Sequence, residues 1–207
     1  MHRLDDAVAG SPLLGHLLDG LPALGLPDAW LVAGVVAQTV WNQATGRPER
    51  HGISDVDIAF FDPARLDADA ERAAEARASR MFADLGLRFD VKNQARVHLW
   101  YPARFGRAIA PYGSVAAAVA TYPTTATAIA IRRQGGSLAT IAPFGLDDLF
   151  ALVVRPNRRL VDAAVYRAKA SRWQDRWPEL IVVPWDPPPA SPSASRVAAR
   201  RPAATRP

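Results

Sequence analysis

The chain has 207 residues, of which 49% are hydrophobic and 22% are charged, a composition that suits one compact domain with appendages. It contains no cysteine and only four histidines, which excludes disulfides, thiol nucleophiles and cysteine-based zinc sites and disfavours an all-histidine metal site. Any metal chemistry must therefore rest on carboxylates.

Charge and hydropathy separate the chain into two parts. No stretch approaches the roughly 20 apolar residues that a membrane-spanning helix needs, and Asp5 and Asp6 lie where a secretory signal peptide is basic, so we expect a cytoplasmic protein without membrane association. Residues 184–207 carry four arginines against one aspartate and account for most of the formal charge of +5. Because this proline-rich stretch has few large apolar groups, we predict a domain at 1–183 and a disordered basic tail of Pro, Ala and Arg at 184–207.

Hydrophobic spacing within the domain alternates between strand and helix periods. The order predicts an α+β fold with a mixed sheet and helices, followed by a helical carboxy-terminal part. In chain order, we predict a short helix and loop over 13–26, a strand at 29–33, a helix over 36–45, a strand at 55–61, a helix over 67–85, a strand over 87–101, a hairpin of 126–132 and 137–141, helices over 147–153 and 159–176, and a short strand at 180–183.

Two aspartates, Asp55 and Asp57, stand one residue apart at the start of an apolar run. Alternation along a strand places both carboxylates on one face, while Val56 and Ile58 point to the other. Carboxylates held this close repel each other unless a cation lies between them, so the pattern favours a hard divalent ion such as Mg²⁺. The alternative is a strand end whose aspartates face water or cap the following turn.

A third acid, Asp90, lies on the strand predicted over 87–101. If that strand is a neighbour of the first, its carboxylate approaches the aspartate pair; alternatively, it pairs with Lys92 or Arg96. These two basic residues are candidate phosphate ligands, or else members of a solvated sheet face. Gly34, at a strand-to-helix junction, lets backbone amides approach an anion at the positive end of the helix dipole.

This order of elements resembles the nucleotidyltransferases of the DNA polymerase beta type. In that superfamily a glycine-containing strand-to-helix turn precedes a strand with paired acids and a later strand with a third acid, which correspond here to 32–34, 54–58 and 89–91. The chain resembles more closely a family of small bacterial nucleotidyltransferase-like proteins, over roughly 30–183. The motifs that carry this resemblance are Trp30-Leu31-Val32-Ala33-Gly34 with Trp41, Val91-Lys92-Asn93-Gln94-Ala95-Arg96-Val97-His98, Pro123-Thr124-Thr125-Ala126-Thr127, Ala142-Pro143-Phe144-Gly145-Leu146-Asp147-Asp148-Leu149, Arg155-Pro156-Asn157 and Trp177-Pro178.

The resemblance implies a polymerase-beta-like palm that transfers a nucleoside monophosphate from a nucleoside triphosphate to a hydroxyl of a small molecule, a protein or RNA. Two Mg²⁺ ions would orient the triphosphate and activate the acceptor. The residues implied in catalysis and metal binding are Asp55, Asp57 and Asp90, and those implied in nucleotide or phosphate binding are Gly34, Ser54, Lys92 and Arg96.

The chain departs from the superfamily at one position of the glycine turn. Val35 follows Gly34, where glycine or serine is usual, and the gap to Asp55 is longer than usual. These departures favour an alternative: a catalytically inactive protein that retains the fold and binds a nucleotide or RNA.

Overall fold

The computed structural model describes residues 2–186, so the part of the predicted tail from 187 onward lies outside the described residues. Helices and strands alternate along the described chain, with short 3₁₀ helices at Leu21–Leu24, Ala83–Leu85 and Gln94–Arg96. The α-helices are α1 (His2–Ala9), α2 (Pro12–Gly20), α3 (Gly34–Ala44), α4 (Ala68–Met81), α5 (Val97–Phe105), α6 (Val115–Val119), α7 (Asp147–Phe150) and α8 (Ala163–Gln174). The strands are β1 (Trp30–Val32), β2 (Asp55–Phe60), β3 (Arg88–Asn93), β4 (Ala130–Gln134), β5 (Ser137–Ile141), β6 (Val153–Val154) and β7 (Ile181–Val182).

The main sheet has five strands in the order β3-β2-β1-β4-β5. Strands β2 and β3 are parallel and are joined through α4, whereas the other neighbouring pairs are antiparallel. The mixed sheet predicted from the sequence is therefore confirmed. The strands β6 and β7 form a separate parallel pair.

The two faces of the main sheet carry different side chains. Val56, Ile58 and Val91 face the larger hydrophobic core, which also buries the helices α2 and α3. The opposite face carries the acidic side chains of β2 and β3 and a smaller cluster in which Val32 packs with Val115 of α6. The acids thus lie on the face that is only partly covered by apolar packing.

The strand predicted over 87–101 is wrong beyond Asn93, where β3 ends and the chain turns into a 3₁₀ helix and then α5. The Asn93 side chain causes this turn: its Oδ1 accepts hydrogen bonds from the amides of Ala95 (3.1 Å) and Asp62 (3.0 Å). Such capping competes with strand pairing. Leu99, predicted on the core face of a strand, is 53% exposed on α5.

A tryptophan cluster fixes the carboxy-terminal helix to the helix that follows Gly34. Trp41 of α3 contacts Trp173 of α8 and Trp177, each with ring centroids 5.5 Å apart in edge-to-face geometry. The Trp177 indole N–H donates to Asn42 Oδ1 at 2.8 Å in the buried core. Aromatic pairs of this kind contribute about 0.5–1.5 kcal/mol each beyond their area burial, so α3 and α8 behave as one packed unit.

The tightest contact of this cluster lies at Gly52, which has φ +72° and on which a Cβ would stand 2.3 Å from Trp177 Cη2. We expect Gly52→Ala to lower the free energy of unfolding by about 2–4 kcal/mol, because it combines backbone strain with overpacking. Gly46→Ala is the matched control: φ is +65° there, but nothing lies within 4 Å of a Cβ, so a loss of only about 1 kcal/mol is expected. Urea unfolding measures both, and equal losses would contradict the packing argument.

Candidate active site

A cavity of about 400 Å³ lies over the acidic face of β2 and β3. The amino end of α3, the helix α5 with the segment that leads to α6, and α8 all contribute residues to its lining. The predicted residues Gly34, Asp55, Asp57, Asp90 and Lys92 all line it.

The parallel pairing of β2 and β3 brings two of the acids together. Asp57 and Asp90 are direct partners in the register, and Asp55 lies two residues before Asp57 on the same face. Neighbouring strands are about 4.8 Å apart, so three carboxylates share one small surface. Burial, reinforced by the negative charges of Asp55 and Asp90, raises the pKa of Asp57 from its usual 3.8 to about 7.

Lysine and arginine side chains offset part of this charge. The ammonium group of Lys92 forms an ion pair with Asp90 and lies 3.1 Å from Glu75 Oε2, while Arg88 Nη2 is 3.9 Å from Asp55 Oδ2. Within residues 2–186, Asp57 forms no ion pair with a lysine or an arginine. Pairing of Asp90 with Lys92 was one of the two alternatives that the sequence left open.

Carboxylate oxygens are suitable ligands for a divalent cation, but the three acids do not converge on one point. Within residues 2–186, no three acidic or histidine side chains are arranged closely enough to hold one ion jointly. Lys92 supplies a positive charge beside Asp90, where a metal ion would otherwise supply it. Binding of a cation to all three acids therefore requires Lys92 to move from Asp90.

The junction of β1 and α3 brings the backbone close to the cavity. Ala33 has φ 55° and ψ −117°, a conformation that L-residues seldom adopt, and Gly34 then begins α3. Val35, at the position where the superfamily usually has glycine or serine, is fully buried and packs in the core. Beside Gly34, the Oε1 atom of Gln38 is buried without a hydrogen-bond partner in the described part of the chain.

Two predicted phosphate-binding residues lie apart from the cavity lining. Arg96 is 9% exposed; its Nη1 is 2.6 Å from Glu71 Oε1 and its Nε donates to the Leu66 carbonyl. The early end of β3 at Asn93 turns Arg96 away from the acids. Ser54 donates to Asp55 Oδ1 at 2.9 Å and so positions that carboxylate.

The sequence prediction did not include the rest of the cavity lining. Aromatic and basic side chains form much of it, and two of the basic residues belong to α8. The only signal in the sequence was the rarity of lysine, since the chain has two lysines among 25 basic residues and both line the cavity. The aromatic residues are Trp100, Tyr101, Phe105, Tyr112 and Tyr122, and the basic ones are Arg107, Lys169 and Arg172.

The mixed sheet, the glycine junction and the acids on adjacent strands define a nucleotidyltransferase head. Comparison with known proteins agrees: residues 19–182 match a family model described as nucleotidyltransferase. The chain belongs to this nucleotidyltransferase family.

Solved structures show the same fold. The chain is similar to a protein whose NMR structure reveals a CCA-adding enzyme head domain, with a TM-score of 0.74 and 26% identity over 89% of this chain and 96% of that one. It is also similar in fold to the Thermotoga maritima CCA-adding enzyme complexed with tRNA, with a TM-score of 0.54 and 18% identity over 87% of this chain and 42% of the enzyme. No curated protein matches the chain. Among the described helices, none is both long and apolar enough to cross a membrane.

The raised pKa of Asp57 predicts a stability cost that depends on pH. The folded protein binds the Asp57 proton more tightly than the unfolded chain does, so stability contributed by this proton is present below the usual pKa of 3.8 and is lost as the pH rises to about 7. We expect Asp57→Asn, in the absence of divalent cations, to raise the free energy of unfolding at pH 8 by on the order of 2–4 kcal/mol, with little change at pH 4.

Urea unfolding at both pH values tests this expectation. Asp6→Asn, at an exposed position of α1, is the control and should change stability by less than about 0.5 kcal/mol at either pH. A variant at Asp57 that is less stable than the wild type at pH 8 would show that the carboxylate is not destabilised by its neighbours.

Proposed function

We propose that the protein transfers a nucleoside monophosphate from a nucleoside triphosphate to a hydroxyl acceptor, with Mg²⁺ as cofactor. The observation that carries the proposal is the direct pairing of Asp57 with Asp90, with Asp55 on the same face. Three acids here line one cavity. Such a concentration of like charge is costly in a structural role and useful where cations must be held.

The donor triphosphate would lie in the cavity with its phosphates at the acids and at the amino end of α3. Mg²⁺ ions would neutralise the phosphates and lower the pKa of the acceptor hydroxyl, and Asp55, Asp57 and Asp90 would hold them. The amino end of α3, at Gly34, presents backbone N–H groups and the positive end of the helix dipole to an anion. These groups would place the α-phosphorus over the acids.

Aromatic side chains of the cavity lining suit the nucleobase. Tyr101 and Phe105 have ring centroids 4.5 Å apart, and Trp100 lies 6.0 Å from Tyr101. All three line the cavity, whose volume of about 400 Å³ lies within the usual range of about 300–1,000 Å³ for small-molecule sites. A planar base can stack on these rings while its phosphates reach the acids.

The acceptor is a hydroxyl of a small molecule, a protein or RNA. RNA is the first to test, because a solved structure to which the chain is 26% identical reveals a CCA-adding enzyme head domain. A cytoplasmic location suits each of the three acceptors.

A second candidate is an inactive protein that binds a nucleotide or RNA without turnover. The ion pair of Lys92 with Asp90 favours it, and so does the core position of Val35 beside the glycine junction. Pyrophosphate release separates the two candidates, since only the active protein releases it.

We expect pyrophosphate release from at least one nucleoside triphosphate in the presence of Mg²⁺ and RNA or small hydroxyl acceptors, and its loss on chelation with EDTA. Asp55→Asn and Asp57→Asn should each lower kcat by about 10²-fold or more, because each removes charge from the proposed cation site. Asp6→Asn should retain full activity. Nucleotide binding without pyrophosphate release, with every acceptor and triphosphate tried, would favour the inactive candidate instead.

A further inference from the structure

The chain keeps lysine at only two positions, and both lie in the cavity. Of the 25 basic residues, 23 are arginines, while Lys92 and Lys169 line the space over the acids. Lys92 is accounted for by its ion pair with Asp90. Lys169 belongs to α8, more than 100 residues away in sequence from the acids of β2.

Helix α8 is held firmly at the cavity. Tyr166 is buried and its hydroxyl donates to the Val154 carbonyl at 2.8 Å, and Trp173 contacts Trp41 of α3. Both anchors belong to the packed interior. The side chains on the neighbouring face of the helix, spaced three and four residues apart, are thereby presented to the cavity: these are Val165, Lys169 and Arg172.

The Lys169 ammonium group has no acidic partner in the described residues. It is partly buried and lies 5.8 Å from the centre of the Trp173 ring. Burial, with the charge of Arg172, lowers its pKa, whereas the charges of Asp57 and Asp55 act in the opposite direction without forming an ion pair. A partly buried cation that is left without a partner costs stability, which points to an anionic ligand.

We propose that Lys169, assisted by Arg172, binds the β- and γ-phosphates of the donor and holds the leaving pyrophosphate. This inference rests on the proposed function. The acids of β2 and β3 line the cavity and repel a bare polyphosphate, while α8 contributes the positive charges of Lys169 and Arg172 to the same lining. The reacting α-phosphorus would lie between the acids and α8, with the pyrophosphate next to α8.

The electron flow of the transfer shows where this positive charge acts. The acceptor oxygen forms a bond to the α-phosphorus while the bond from that phosphorus to the bridging oxygen breaks. The electron pair leaves with pyrophosphate, and the acceptor proton passes to solvent. Negative charge therefore grows on the pyrophosphate, and a positioned ammonium group stabilises it more in the transition state than in the ground state.

The test uses inorganic pyrophosphate as a probe, because its binding does not require turnover. We expect Lys169→Met to weaken pyrophosphate binding, measured by isothermal titration calorimetry with Mg²⁺, by about tenfold or more. Lys169→Arg should recover part of this loss, and Arg172→Ala should show a smaller one because Arg172 is exposed. Arg167→Ala on the same helix is the control, since Arg167 pairs with Asp186 at 3.2 Å outside the cavity lining.

Two further measurements separate the outcomes. Lys169→Met keeps the apolar stem and removes an unpaired charge, so its thermal midpoint should equal or exceed that of the wild type, and binding of a nucleoside monophosphate should change less than about twofold. Unchanged pyrophosphate affinity in Lys169→Met would overturn the inference. If the wild type binds pyrophosphate through Lys169 but never releases it from a triphosphate, the assignment of Lys169 to phosphate binding stands and the proposed transfer fails.

Discussion

The repulsion between Asp57 and Asp90 is the constraint on which the site depends. The parallel register of β2 and β3 makes these residues direct partners, and like charges directly opposite each other destabilise a sheet. The protein places this pair on the less covered face and offsets it with Lys92, beside Asp90. Under the proposed function, Mg²⁺ would supply the missing positive charge and offset this cost.

A second constraint joins distant parts of the chain. The tryptophan cluster of Trp41, Trp173 and Trp177 docks α8 against the helix that begins at Gly34. One packed interface therefore holds both the amino end of α3 and the basic residues of α8 at the cavity. Because these contacts are between buried aromatic groups and not between surface ions, the distance between α3 and α8 should depend little on salt concentration.

Local patterns were enough to predict that Asp55 and Asp57 share a face and that Asp90 lies near them, as the strand register shows. The spacing of Asp55 and Asp57 fixes their common face on any strand, and the short connection through one helix favours a parallel neighbour that carries Asp90. The strand-to-helix junction at Gly34 could be predicted for the same reason, because its conformation is determined within a few residues. The family model agrees with the fold that these patterns imply.

Side-chain contacts between distant residues could not be predicted in this way. The alternation from Phe89 to Leu99 suits a strand, but the Asn93 side chain ends it by accepting hydrogen bonds from the backbone amides of Ala95 and Asp62. Arg96 therefore meets Glu71 of α4 and lies outside the lining of the cavity over the acids. Lys169 was missed because its place at the cavity depends on tryptophan contacts that no local period reveals.

The most direct test of the central claim is a crystal structure with Mg²⁺ and a non-hydrolysable nucleoside triphosphate. The account predicts carboxylate oxygens of Asp55, Asp57 and Asp90 at about 2.1 Å from Mg²⁺, with the Lys92 ammonium group displaced from Asp90. A structure in which Lys92 still pairs with Asp90 and the nucleotide binds away from the three acids would contradict it.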